Sequence, residues 1–228
     1  MRDEAKDVKD VVAQAKASPG KYNYGAAGGV GTETNGSIIC PSNVNGLVGL
    51  KPTVGLIPQT GIVPISSSQD TAGPMTKTVR GAALLMNAMV EGDTDYTTGL
   101  SPDALKGVRI GVLREAQGSN ADIIAQFEAS LEVLKAQGAE LVDVPEAEMP
   151  PEFGSSAFLV LQYEFKAGLN EYLKTAAPGV KTRTLADLIA FNTANAEKEL
   201  ALFNQDIFEL SEAKGPLTDE AYTKAVKL

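Results

Sequence analysis

The stretch Gly28-Gly29-Val30-Gly31-Thr32-Glu33-Thr34-Asn35-Gly36-Ser37 gathers residues able to turn successive backbone N–H groups toward one point. Two chemistries use such a loop. Phosphate binding would need a lysine after the last glycine, but Ser37 follows Gly36, and the Gly-x-Gly at 29–31 lacks the third glycine of a dinucleotide fingerprint. Acyl transfer needs a nucleophile beside N–H donors aimed at a developing oxyanion, and Ser37 directly after Thr34, Asn35 and Gly36 has that form. The plain alternative is a glycine-rich turn whose serine bonds its own backbone. Local chemistry alone leaves both open.

The 228 residues include no histidine. This excludes Ser-His-Asp and Cys-His catalysis, so a nucleophile here needs another base. A single cysteine, Cys40, allows no internal disulfide; it lies near Ser37 beside Pro41, and with no basic cluster at hand it is expected to be buried and unreactive. No spacing of ligand residues suggests a metal, and no cofactor is expected. The formal charge of -9 repels phosphate backbones, Trp is absent, and no basic cluster is interleaved with aromatics, so nucleic acid is not an expected partner. With no leader-like opening and no apolar run near the ~18 residues of a membrane helix, the chain reads as soluble and cytoplasmic, without a membrane partner.

Several other residues could in principle act. Lys51, in Gly-Leu-Lys-Pro-Thr, is expected to be structural rather than a base, and Asp70 to anchor a loop through bonds from backbone N–H groups. Glu146, Glu148 and Glu152 fall in a proline-rich stretch that reads as a solvated turn.

These residues must be carried by secondary structure, and the chain is ordinary globular material at 43% hydrophobic. Residues 3–17 have helical spacing, stopped by Pro19-Gly20. From Tyr24 to Gly61 glycine recurs between short β-branched runs such as Ser37-Ile38-Ile39-Cys40 and Leu47-Val48-Gly49-Leu50, a pattern of tight turns and close backbone approach; Pro52, Pro58, Pro64 and Pro74 extend the irregular path. Thr76 or Thr78 then begins a helix with Val79, Ala83, Leu84, Met86 and Met89 on its apolar face, and Ser101-Pro102-Asp103 resembles a second helix start. Val108–Leu113, the helical face Ile123, Ile124, Phe127, Leu131 and Leu134, and Leu141–Val144 form a strand-helix-strand unit with a parallel crossover. Segments 156–175, 184–210 and 218–227 are expected to be helical. The fold class is α/β.

Residues 31–79, GTETNGSIICPSNVNGLVGLKPTVGLIPQTGIVPISSSQDTAGPMTKTV, resemble the amidase signature family, whose core reads as a GTDTGGSIR-like loop, then GxVGLKPT, then an SxSxDxxGP segment. The form with CP after the loop and SQDTAGPM is most similar to the peptide-amidase branch, as are LQYEFKAGLNEYL (161–173) and LADLIAFN (185–192). The resemblance spans roughly residues 28–228 and implies a partial amidase-signature domain, a mixed β-sheet flanked by helices. It implies hydrolysis of a small amide or a peptide C-terminal amide through a serine acyl-enzyme, with release of ammonia. In that family a serine, a bridging serine and a lysine share the work. Ser37 matches the nucleophile, and Thr34, Asn35 and Gly36 match the oxyanion-hole positions. The bridging serine should fall near Ala13, within VVAQAKA, and the lysine upstream of residue 1, so activity is expected to be impaired. The truncated sheet is expected to expose edges that invite self-association.

Residues 6–31 (KDVKDVVAQAKASPGKYNYGAAGGVG) instead resemble the periplasmic tricarboxylate-type solute receptors. Residues 1–27 are therefore set apart as an N-terminal helix and turn of uncertain origin. Two alternatives to an amidase follow: an inactive amidase-like domain that binds an amide, and a solute-binding module led by residues 6–31.

Overall fold

A computed structural model describes residues 29–145 and 148–228. The solute-receptor-like segment, the first expected helix, the Ala13 position and Glu146 lie outside the described residues, as does Gly28. Two compact units are present: residues 29–95 with Glu152–Leu228, and Tyr96–Pro151.

The first unit is built on three antiparallel strands, β1 (Gly29–Glu33), β2 (Val48–Gly49) and β3 (Thr71–Thr76), in the order β1-β3-β2. Helix α1 (Ile39–Val44) lies between β1 and β2 in sequence, and α2 (Val79–Met89) follows β3. β3 is almost wholly buried, and Pro74, expected in irregular chain, sits within it opposite Val30. Its carbonyl accepts the Leu50 N–H at 3.0 Å. Proline is tolerated in this central strand because β2 pairs only with Met75 and Thr76, so the regular ladder stops short of the missing N–H. Gly73 answers a close approach: a Cβ there would lie 2.1 Å from the Leu50 carbonyl oxygen and 2.9 Å from Ile38 Cδ1.

Of the two β-branched runs, Val48-Gly49 is a strand, but Ile39-Cys40 opens a helix. Tertiary bonding overrides local preference there. Ile38, at the N-cap, has no side chain able to cap, and the Glu33 carboxylate takes the N–H groups of Ile38 and Ile39 at 2.7 and 3.0 Å. Helix α2 starts where expected, with Thr78 Oγ1 accepting from Gly81 N at 3.0 Å, yet its buried face is Ala82, Ala83 and Met86. Val79 and Leu84 are 60% and 51% exposed, so the apolar stripe read from sequence is wider than the face that packs.

The C-terminal half of this unit is helical: α4 (Phe153–Lys174), α5 (Leu185–Ala194), α6 (Ala196–Glu199), α7 (Asp206–Glu212) and α8 (Glu220–Ala225), with α3 reserved for the second unit. Phe165, Leu169, Leu173 and Leu185 form the core, flanked by Tyr172, Leu188, Ile189 and Phe208. The sharp corner from α4 to α5 is satisfied by side chains. Arg183 donates to the carbonyls of Leu173, Ala176 and Ala177, at the end of α4 and just past it, and Thr184 with Asp187 forms a capping box on α5.

The second unit is the expected crossover. β4 (Arg109–Val112) and β5 (Glu140–Asp143) pair in parallel, Arg109 opposite Glu140, joined by α3 (Ala121–Ala136). Asn120 caps α3 by accepting from Asp122 N and Ile123 N at 3.0 and 3.2 Å. The helix expected at 102–103 is instead a run of turns. Ser101 Oγ does accept Asp103 N at 3.1 Å, but Gly107 with φ +72° ends the segment before a helix nucleus can be extended. Glu148 and Glu152 are exposed, as a solvated turn requires.

Candidate active site

The candidate nucleophile sits on the turn between β1 and α1. The chain leaves the sheet at Glu33, passes through Thr34 and Asn35, turns at Gly36 with φ +90°, and enters α1 after Ser37 and Ile38. Neighbours divide sharply here: Ser37 is exposed and Ile38 is 0% exposed. Ile38 is the plug of the turn, its side chain lying over the glycine positions of β1 and β3. A Cβ on Gly31 would come 3.1 Å from Ile38 Cγ1.

Three polar clamps hold the turn. The first is Glu33, nearly fully buried, whose carboxylate collects the Ile38 and Ile39 N–H groups. Burial pushes this carboxyl up, but the N–H groups of Gly36, Ile38 and Ile39 and the Lys51 charge outweigh it and hold the group below the usual carboxylate range. The second is Asp70, which accepts Thr34 Oγ1 at 2.5 Å on one oxygen and the N–H groups of Ile65 and Ser66 at 2.7 and 2.8 Å on the other. This is the loop-anchoring geometry expected of Asp70. The third is Lys51, whose ammonium donates to the Thr34 carbonyl at 2.8 Å. This bond ties the strand-following loop of Lys51 to the start of the turn.

The structure thus places Thr34, Asn35, Gly36 and Ser37 on one pinned turn. The N–H of Gly36 is drawn toward Glu33, whereas those of Thr34 and Asn35 have no acceptor among the described residues. Ser37 Oγ has no hydrogen-bond partner among the described residues either. Chemically this offers an exposed hydroxyl on the turn that holds those two N–H donors, with no base in contact among the described residues. Cys40 is exposed rather than buried, because it lies on the outer side of the first turn of α1; a Cβ on Gly36 would meet its Sγ at 3.1 Å. Among the described residues no group of three His, Cys, Asp or Glu side chains could hold a metal, and no helix is long and apolar enough to cross a membrane.

One residue escaped sequence reasoning. Glu164, in the middle of α4, is 3% exposed and accepts Ser66 Oγ at 2.7 Å, Ser68 N and Oγ at 2.9 Å each, and Tyr222 OH at 2.8 Å. Desolvation raises its carboxyl, but these donors prevail and hold it below the ordinary range. Tyr222, half-buried, is pushed up to about 12 by desolvation and by its bond to the same charge. The available signal was an acid set between Tyr163 and Phe165 on the buried face of a helix, where a lone carboxylate needs donors from elsewhere.

The chain as a whole is similar to known proteins. Residues 24–227 match the family model described as Amidase. The native peptide amidase of Stenotrophomonas maltophilia is 40% identical, with a TM-score of 0.79, over 89% of this chain and 44% of that one. The peptide amidase PAM solved with the competitive inhibitor chymostatin gives a TM-score of 0.81 at the same identity and coverage. A probable amidase of Arabidopsis thaliana is 32% identical over 219 residues, 87% of this chain and 41% of the relative. The chain spans less than half the length of these relatives.

Proposed function

The chain belongs to the amidase family, and on that premise we propose that Ser37 is the nucleophile of an amide-hydrolysing site of the peptide-amidase kind. The observation that carries the reading is the pinned turn itself, an exposed Ser37 beside the unaccepted N–H groups of Thr34 and Asn35. In the reaction Ser37 Oγ adds to the carboxamide carbon and gives up its proton to a base. The negative charge on the amide oxygen is met by the N–H donors of the turn, Gly36 joining them if Glu33 releases it. The C–N bond then breaks, the nitrogen leaves protonated as ammonia, and water cleaves the resulting ester to restore the hydroxyl. The substrate class is a small carboxamide or a peptide C-terminal amide.

The family resemblance implies a bridging serine and a lysine as the base, and neither role is assigned to a residue of this chain. Lys51 is held by Thr34. The isolated chain is therefore expected to turn over amides several orders of magnitude more slowly than an intact triad would, on the scale of roughly 10³–10⁴ or more seen when triad members are removed.

The test combines two readouts on the purified chain and Ser37→Ala: ammonia release from a C-terminally amidated peptide, and labelling by a fluorophosphonate with chymostatin as competitor. Labelling confined to Ser37 and lost in the variant, slowed like the turnover by the want of an assigned base, is the expected result, with slow or undetectable ammonia release. Absence of labelling at Ser37 sinks the nucleophile. That Ser37 Oγ has no hydrogen-bond partner among the described residues also favours a second reading, a binding domain without turnover, which predicts amide binding by calorimetry that Ser37→Ala leaves intact.

A further inference from the structure

We propose that Glu164 is a positioning residue for the turn that carries Ser37, acting through Ser66 and Asp70. The proposal rests on the reading of Ser37 as nucleophile for its functional meaning. Its geometry stands on hydrogen bonds alone.

Ser66 is 0% exposed and gives one donor to each of two buried carboxylates: its Oγ goes to Glu164 at 2.7 Å and its N–H to Asp70 at 2.8 Å. Asp70 in turn receives Thr34 Oγ1 at 2.5 Å, the first residue of the nucleophile turn. The path from α4 to that turn is therefore Glu164, Ser66, Asp70, Thr34. Ser68 strengthens its first step with two bonds to the same Glu164 oxygen, and Gln59 braces the loop by donating to the carbonyls of Ser67 and Asp70 at 3.0 and 2.6 Å.

Among the described residues none of the donors reaching Glu164 is a cation. A buried carboxylate without one is an expensive way to fill space, since an apolar side chain would pack there without desolvating a charge. What the carboxylate does, and an apolar group cannot, is collect hydroxyl and N–H donors from the 66–68 loop and from α8 at one point. Charge-assisted bonds of this kind are short and directional, so they fix the loop that presents Asp70 to Thr34.

Amide hydrogen exchange on the full chain tests this without relying on turnover. Glu164→Ala is expected to speed exchange at 65–70 and at 34–39 together by about tenfold or more, while amides of α3 keep their protection. Asp70→Asn alone should also loosen 34–39, and adding Glu164→Ala to it should change 34–39 little further, because the path is already cut. Equal loosening of 34–39 in both backgrounds overturns the proposal, as does loosening of 65–70 that leaves 34–39 unchanged. Should Glu164→Ala fail to fold, Glu164→Gln keeps the shape and one acceptor oxygen and is expected to give the same pattern at smaller amplitude. Fluorophosphonate labelling supplies the functional readout: the maximal rate at Ser37 should fall in Glu164→Gln with the half-saturating concentration unchanged. A wild-type chain that is never labelled refutes the nucleophile reading, while the exchange result still decides the positioning role.

Discussion

The Glu33 carboxylate accepts the Ile38 N–H at 2.7 Å, closing the chain around Ser37 within five residues. One side chain thereby caps α1 from outside the helix and sets the height at which Ser37 leaves the sheet. Replacing it with glutamine keeps the shape and removes the charge. Glu33→Gln is expected to lower stability by about 2 kcal/mol, the scale of a hydrogen bond to an ionised group, and to slow labelling of Ser37. Urea unfolding and probe kinetics on the same preparations check both effects.

Gly36 answers to two constraints that can be separated. Its φ of +90° disfavours any side chain, and a Cβ would meet Cys40 Sγ at 3.1 Å. Gly36→Ala should cost about 1–2 kcal/mol from backbone strain alone, with a further steric part. Adding Cys40→Ala should recover only the steric part. Full recovery in the double variant would mean that the backbone conformation is not the constraint.

Ile38 is the plug beneath the turn, so Ile38→Ala opens a cavity against Gly31 and Gly73 and is expected to cost about 2–5 kcal/mol. Val44, on the same short helix, is 83% exposed. Val44→Ala should stay within about 0.5 kcal/mol, and denaturation midpoints of the two variants make the comparison.

The pH dependence follows from three groups. Glu33 and Glu164 titrate below their ordinary range when folded, so the stability they add is present above their unfolded values and is lost as pH falls through the folded ones. Tyr222 moves the other way, from 10.0 to about 12, so its contribution is complete below pH 10 and disappears as pH rises toward 12. Tyr163, raised by burial and by its bond to Asp219, acts in the same alkaline direction. Tyr222→Phe should therefore be less stable than wild type at neutral pH, by about 1–3 kcal/mol for the donor lost to a charged acceptor, and should show a smaller alkaline loss. Thermal melts from pH 3 to 11 on both proteins test the acid limb and the difference in the alkaline one.

Sequence reading reached the turn because its determinants are local: Gly36 must supply the left-handed conformation, and Ser37 stands where α1 begins. It also reached the β4-α3-β5 crossover, where strand and helix periodicities alternate cleanly within one short stretch. It missed what depends on side-chain and strand partners that periodicity does not name. Ile39-Cys40 became helical because Glu33 accepts their neighbourhood's N–H groups, and Pro74 entered β3 because β2 is too short to demand its missing donor. Cys40 faces solvent because helical phase puts it opposite the plug formed by Ile38. Glu164 was hidden for the same reason as these: its donors come from loop 66–68 and from Tyr222, and nothing in the residues around it names them.

The clamps on the turn that carries Ser37 span 5, 17 and 36 residues, whereas the bond from Ser66 to Glu164 spans 98. Closing the longer loop costs roughly 1 kcal/mol more than closing a 36-residue one, before any of the contacts that α4 brings. By loop entropy, then, joining β1, the turn and β3 is the less costly closure, and tying α4 to them through Glu164 the more costly one.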